Sequence, residues 1–149
     1  DKKGFNKTER NERSEMKKIF RVFIVLIFFV LILVVSCTAM MNKEMEKAKN
    51  ELMLVEDPDL SKVEDGTYKG KVETMLVKVE LEVSVKNHKI ISISIIKHDN
   101  GKGKPAEAII DDIVKDNSTD VELIAGATMS SLVIRAAVID AVTNGIKAS

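Results

Sequence analysis

Tryptophan is absent from this 149-residue chain, tyrosine and cysteine occur once each, and proline occurs twice. Each scarcity excludes something. All five phenylalanines (Phe5, Phe20, Phe23, Phe28 and Phe29) lie early, so Tyr68 is the only aromatic beyond Cys37. The downstream part therefore has no platform for stacking bases or sugars. A lone cysteine excludes an internal disulfide framework and a cysteine-based metal cluster. His88 and His98 are not spaced as a metal pair, so no metal is expected. Bulk charge is missing too: 23 basic and 23 acidic side chains cancel, which argues against nucleic acid as a partner.

What is present is unevenly distributed. Residues 1–21 hold eight basic and four acidic side chains, a net +4, directly before an uninterrupted apolar run at 22–35. That order fits a cytoplasmic flank followed by a signal or anchor segment, which reaches residue 41 if it spans a bilayer. Two readings stay open. Val34-Val35-Ser36-Cys37 fits a lipobox, with Cys37 the acylated residue of a lipoprotein and Met16-Lys17-Lys18 a short basic start. The other reading retains the run as a membrane helix. Both place the rest of the chain outside the cytoplasm.

Residues 42–64 are charged and contain Asp57-Pro58-Asp59, which suggests a stalk with a short amphipathic helix, most simply a solvated spacer. The domain proper is expected at 65–149. Met75, Val77, Val79, Leu81, Val83 and Val85 alternate with polar residues, a period of two that predicts a half-buried strand. Asn87-His88 makes a turn into a second β-branched strand with Ile91, Ile93 and Ile95 on one side. Pro105 opens a helix whose face carries Ala106, Ile109, Ile110, Ile113 and Val114, with Asp111, Asp112 and Asp116 on a solvated side. A short strand at 121–124 then leads through Ala125-Gly126-Ala127-Thr128-Met129-Ser130-Ser131 into a final apolar helix. The predicted fold is α+β, a small antiparallel sheet with two helices packed on it in the order β-β-β-α-β-α.

The turn at 125–131 is the chemically suggestive part. A glycine permits close backbone approach, and hydroxyl residues stand where a helix leaves N–H groups unpaired and a positive dipole end exposed. That suits a phosphate-bearing ligand. The plainer reading is a helix cap formed by a threonine or serine, contributing about 1 kcal/mol.

Asp65-Gly66-Thr67-Tyr68-Lys69-Gly70, the hairpin with Val85-Lys86-Asn87-His88-Lys89-Ile90, His98 in the following loop, and Gly126-Ala127-Thr128-Met129-Ser130-Ser131 together resemble the FMN-binding domain family. Its members include the C subunit of sodium-translocating NADH:quinone reductase, the G subunit of the Rnf complex and small membrane-anchored flavoproteins. The resemblance implies FMN carried as a phosphoester on Thr128, attached by a flavin transferase that takes it from FAD with magnesium. It implies a site that includes Gly126, Ala127, Met129, Ser130, Ser131 and Glu122, with His98, Gly101 and Gly103 near the ring and Lys102 and Lys104 as nearby cations. Two positions depart from the family: Glu122 replaces the usual aspartate, and Ala125 the usual serine or threonine. Non-covalent FMN binding is therefore an alternative, and a lipoprotein adaptor or sensor without flavin is another. No nucleophile–base pair argues for substrate turnover. The expectation is a membrane-anchored, extracytoplasmic electron-transfer protein or redox-complex subunit, with redox proteins or a quinone-linked membrane complex as partners.

Overall fold

The computed structural model describes residues 2–101 and 103–146, with the backbone alone for residues 2–11 and 14. The chain divides into two compact units, Asp1–Glu44 and Met45–Ser149. Helix α1 (Lys2–Met53) supplies the first. By length and composition, its stretch Glu15–Met53 is able to cross a membrane. Every side chain of the apolar run is exposed there, as in a helix that is greasy all round and lacks a protein partner. Thr38 Oγ1 donates to the Val35 carbonyl at 2.9 Å, so the hydroxyl next to Cys37 is satisfied within the helix. No separate stalk helix forms, because helical structure continues without a break to Met53.

In the second unit, β1 (Gly66–Glu73), β2 (Lys78–Lys86) and β3 (Lys89–Asp99) form an antiparallel meander in the order 1-2-3. The β1–β2 connection shortens the expected strand. Thr74 N–H donates to the Val77 carbonyl at 2.8 Å, and Val77 N–H returns a bond to Thr74 Oγ1 at 3.1 Å. Met75 and Leu76 are thereby left at an exposed tip. Asn87 and His88, with φ of 50° and 60°, make the two-residue turn into β3.

The alternation expected in β3 is broken twice. Ile90 pairs with Val85 and Ser92 with Ser84, so Ile91 is an extra residue; Ile95 pairs with Leu81 and Lys97 with Glu80, so Ile96 is another. Each bulge moves the following side chains to the opposite face. Ile90 is consequently buried, Ile93 and Ile95 pack on the core, and Ile91 and Ile96 are exposed. The second bulge also sets His98 opposite Val79, on the core side.

A 3-10 turn (Lys104–Ala108) leads into α2 (Ile109–Asp116), and α3 (Thr128–Asn144) closes the domain. The architecture is thus α+β. The segment 121–124, expected as a strand, forms none: the Ile124 N–H donates to Ser131 Oγ instead of to a neighbouring strand. Helix α3 is apolar nearly all round because it is central, with eleven residues from Ser130 to Val142 buried. Gly70 lets β1 meet it backbone to backbone, since a Cβ there would lie 1.9 Å from the Ala137 carbonyl oxygen. Lys71 N–H donates to Asp140 Oδ2 at 2.9 Å and Asn144 Nδ2 donates to the Lys69 carbonyl at 3.1 Å. Both bonds satisfy β1 backbone groups with helix side chains.

Residues expected as a solvated spacer also join this unit. Val63 is fully buried in the core, and the Arg135 guanidinium donates to the Val55 carbonyl at 2.8 Å. Asp57 accepts from Thr119 N–H at 2.9 Å, from Thr119 Oγ1 at 2.5 Å and from Ser118 Oγ at 2.7 Å.

Candidate functional site

The site is built on the start of α3. The turn at Ala125-Gly126 needs a φ of +77° at Gly126, where a side chain would be strained although nothing lies within 4 Å of its would-be Cβ. The helix then begins on an apolar residue. Ala127 is the N-cap, with φ −130° and ψ 26°, and no side chain caps the first turn. Thr128 is therefore not a cap. It is the first helical residue, half-buried, and the plainer reading of its hydroxyl does not hold.

Ser131 is not a cap either. Its Oγ donates to the Ala127 carbonyl and accepts from the Ile124 N–H, both at 3.2 Å, so a fully buried hydroxyl serves as an internal brace and is closed to a ligand. With Ser131 N–H bonded to Ala127 in the helix, the N–H groups of Thr128, Met129 and Ser130 remain without a side-chain partner among the described residues. The first turn also holds no acidic residue, so nothing on the helix competes for its positive end.

The residues that carry these groups line an open cavity of about 340 Å³. Gly126, Ala127, Thr128, Met129 and Ser130 line it together with Gly101 and Gly103 of the β3–α2 loop, Leu76 and Val77 of the β1–β2 tip, and Met45. Gly103 is required there. A Cβ would sit 1.9 Å from Ser130 Oγ, so the loop backbone lies directly on the first turn of α3.

His98 stands behind this wall and does not line it. Its side chain is 2 % exposed, Nδ1 lies 2.9 Å from Glu107 Oε1, and Nε2 is buried with no hydrogen-bond partner. The clasp joins the end of β3 to the 3-10 turn, bracketing the loop that carries Gly101 and Gly103. Glu122 is exposed and does not line the cavity. Lys104 is exposed as well, and Lys102 lies outside the described residues. Tyr68 is remote from the site: its hydroxyl donates to the Glu64 carbonyl and its ring packs between Gly66 and Gly145.

The family model of the FMN-binding domain matches residues 76–143. Over those residues the chain is similar to an FMN-binding domain. No curated protein matches it. Apart from Met45, every residue of the cavity lies inside the matched segment of the FMN-binding domain. The residues also fit the cofactor chemically. Unpaired N–H groups at a helix start suit a phosphate, and a mostly apolar recess within the usual range of about 300–1,000 Å³ suits a ring system.

Sequence reasoning missed Met45, Leu76 and Val77 as site residues. A signal was available at the hairpin tip, where Met75 and Leu76 are adjacent apolar residues that interrupt the alternation.

Proposed function

We propose that the chain is a membrane-anchored flavoprotein that carries FMN as a phosphoester on Thr128, on the extracytoplasmic side, and relays electrons between redox partners. The observation that carries this reading is the position of Thr128, first in a helix whose start is uncapped and beside an open cavity. A hydroxyl spent on capping would be hidden. This one is half-buried and free of any internal partner among the described residues.

Attachment from FAD balances simply. Thr128 Oγ1 bonds to the phosphorus on the riboflavin side, the phosphoanhydride bond breaks, AMP leaves, and the hydroxyl proton passes to a base of the transferase. The N–H groups of Thr128 to Ser130 would hold the phosphoryl oxygens of the product, since a helix end stabilises an anion by about 0.3–1 kcal/mol when exposed. FMN, when bound, supplies the redox chemistry; the protein holds it and limits its access to water. The tether substitutes for affinity by keeping the local concentration high. Anchoring follows from the apolar helix. Retention of α1 or acylation at Cys37 gives the same side of the membrane, the basic flank marking the cytoplasmic one.

Co-expression with an FAD-dependent flavin transferase tests the proposal. The full chain is expected to keep flavin fluorescence on a denaturing gel, and Thr128→Val to abolish it. Fluorescence that survives Thr128→Val refutes the attachment site. Yellow protein that loses all colour on denaturation means non-covalent binding, the outcome that Glu122 and Ala125 would explain.

A further inference from the structure

We infer that the isoalloxazine ring of the FMN on Thr128 lies in this cavity, shielded by the aliphatic and thioether groups of Met45, Leu76 and Met129 and close to the bare backbone of Gly101 and Gly126, so that Met45 completes the flavin pocket. The inference rests on the proposed function and adds to it where the ring sits.

Exposed apolar side chains that share one concave site suit a ligand better than the same residues scattered singly. Met45 is 36 % and Leu76 49 % exposed, and both face the cavity that holds Thr128. Met129, which follows Thr128 directly in α3, lines the same cavity. Gly101 and Gly126 present no side chain to it. At Gly101 and Gly126 a Cβ would meet nothing within 4 Å, so a flat group can approach the main chain closely. The lining is thus apolar and adaptable at its side chains and open at these glycines.

Chemistry selects the occupant. The only aromatic beyond Cys37 is Tyr68, which is fastened at Glu64, Gly66 and Gly145 and is unavailable for stacking. A ring held here has to be shielded by sulfur and methylene groups. Thioether sulfur makes favourable contacts with aromatic rings, and methionine adapts its shape to an irregular gap. The tether supplies proximity; Met45 and Leu76 supply burial. Met45 lies outside the residues that match the FMN-binding domain, yet belongs to the same compact unit as Thr128. Met45 thus contributes to the redox site from outside the matched segment.

The test uses the flavinylated full chain in detergent micelles. Iodide quenching of flavin fluorescence is compared between free FMN, the unmodified sequence, Met45→Ser, Leu76→Ser, and a control, Met53→Ser, an exposed residue that does not line the cavity. Pockets of this kind bury most of a ligand's surface, so the quenching constant is expected about threefold or more below that of free FMN. Met45→Ser and Leu76→Ser should raise it at least about twofold with attachment intact on the gel, and Met53→Ser should leave it unchanged. Both targets are solvent-exposed, and tyrosine fluorescence confirms folding. A ring on Thr128 that is quenched as freely as FMN in solution overturns this inference and leaves the proposed function standing, as does equal quenching in all four proteins. A chain that takes up no flavin overturns both.

Discussion

Gly103→Ala probes whether the loop backbone truly rests on the mouth of α3. The new Cβ would lie 1.9 Å from Ser130 Oγ and 2.7 Å from Ser130 Cβ. The hydroxyl can rotate away, but the Cβ is fixed to the helix. Ordinary contact begins near 3.4 Å, so the loop or the first turn must retreat by at least 3.4 − 2.7 = 0.7 Å. Overpacking of this kind costs about 1–3 kcal/mol. Backbone strain adds nothing, since Gly103 has φ −85°. The lower chain entropy of alanine when unfolded offsets about 0.4–1 kcal/mol. The expected net loss is about 1–2 kcal/mol, or roughly 4–12 °C in Tm for a domain of this size. Gly101→Ala is the matched control. Its Cβ meets nothing within 4 Å, so its Tm should hold or rise. Tyr68, the sole tyrosine in a chain without tryptophan, reports unfolding of this domain alone. Adding Ser130→Gly removes both clashing atoms, and the double variant should exceed the additive expectation by about 1 kcal/mol despite the glycine in the helix. Equal Tm for the two single variants, or strict additivity in the double, refutes the contact.

Gly70→Ala should be more damaging, because its Cβ would meet main-chain atoms, the Ala137 carbonyl oxygen at 1.9 Å and the Ala141 nitrogen at 2.8 Å. A loss of about 3 kcal/mol or more is expected, read as a missing or strongly shifted tyrosine transition, and near-native stability would disprove the close crossing of β1 over α3. The Asp57 carboxyl is subject to burial, which opposes ionisation, yet the hydrogen bonds from Thr119 and Ser118, with the Arg135 charge, outweigh it and hold the group below its ordinary 3.8. A depressed folded pKa contributes stability above the ordinary value that is lost as pH falls through the folded one. The stability advantage over Asp57→Asn should therefore be present at pH 7 and shrink below about pH 4. Asp57 is solvent-exposed, so screening keeps the effect below about 1 kcal/mol, and a difference that does not change with pH in tyrosine-monitored unfolding contradicts the assignment.

Local pattern carried much of the fold. The alternation from Val79 to Val85, the Asn87-His88 turn and the apolar run of α3 each describe their own conformation, and the structure follows them. What was hidden depends on partners. Ile91, Ile93 and Ile95 look like one face of a strand, and nothing in β3 alone announces that Ile91 and Ile96 have no counterpart in β2. Because of the second bulge, His98 turns inward to Glu107 and away from the cavity, a result of pairing register that composition does not record. Residues 121–124 have strand-like side chains but no strand to join, since Ser131 claims the Ile124 N–H. Thr128 was legible as the candidate for chemistry; its place as first residue of the helix, with Ala127 as cap, required the backbone angles.

The apolar cap is the most telling local choice in the domain. Serine, threonine, asparagine or aspartate at an N-cap stabilises a helix by about 1 kcal/mol over alanine. Helix α3 is the central element of its unit, where such stabilisation would matter most, and Thr128 and Ser130 stand within three residues of the cap. None of them caps. Ser131, the one first-turn serine with its bonds made, is turned to hold the loop from inside, and the Ala127 angles depart from the extended conformation that a side-chain cap adopts. Three N–H groups without a side-chain partner consequently belong to residues that line a cavity with no acidic side chain among its described residues. A mouth left electrically unanswered at a cost in stability is intelligible when something negative from outside the chain belongs in it. A phosphoryl group on the adjacent threonine would answer it from the shortest possible distance.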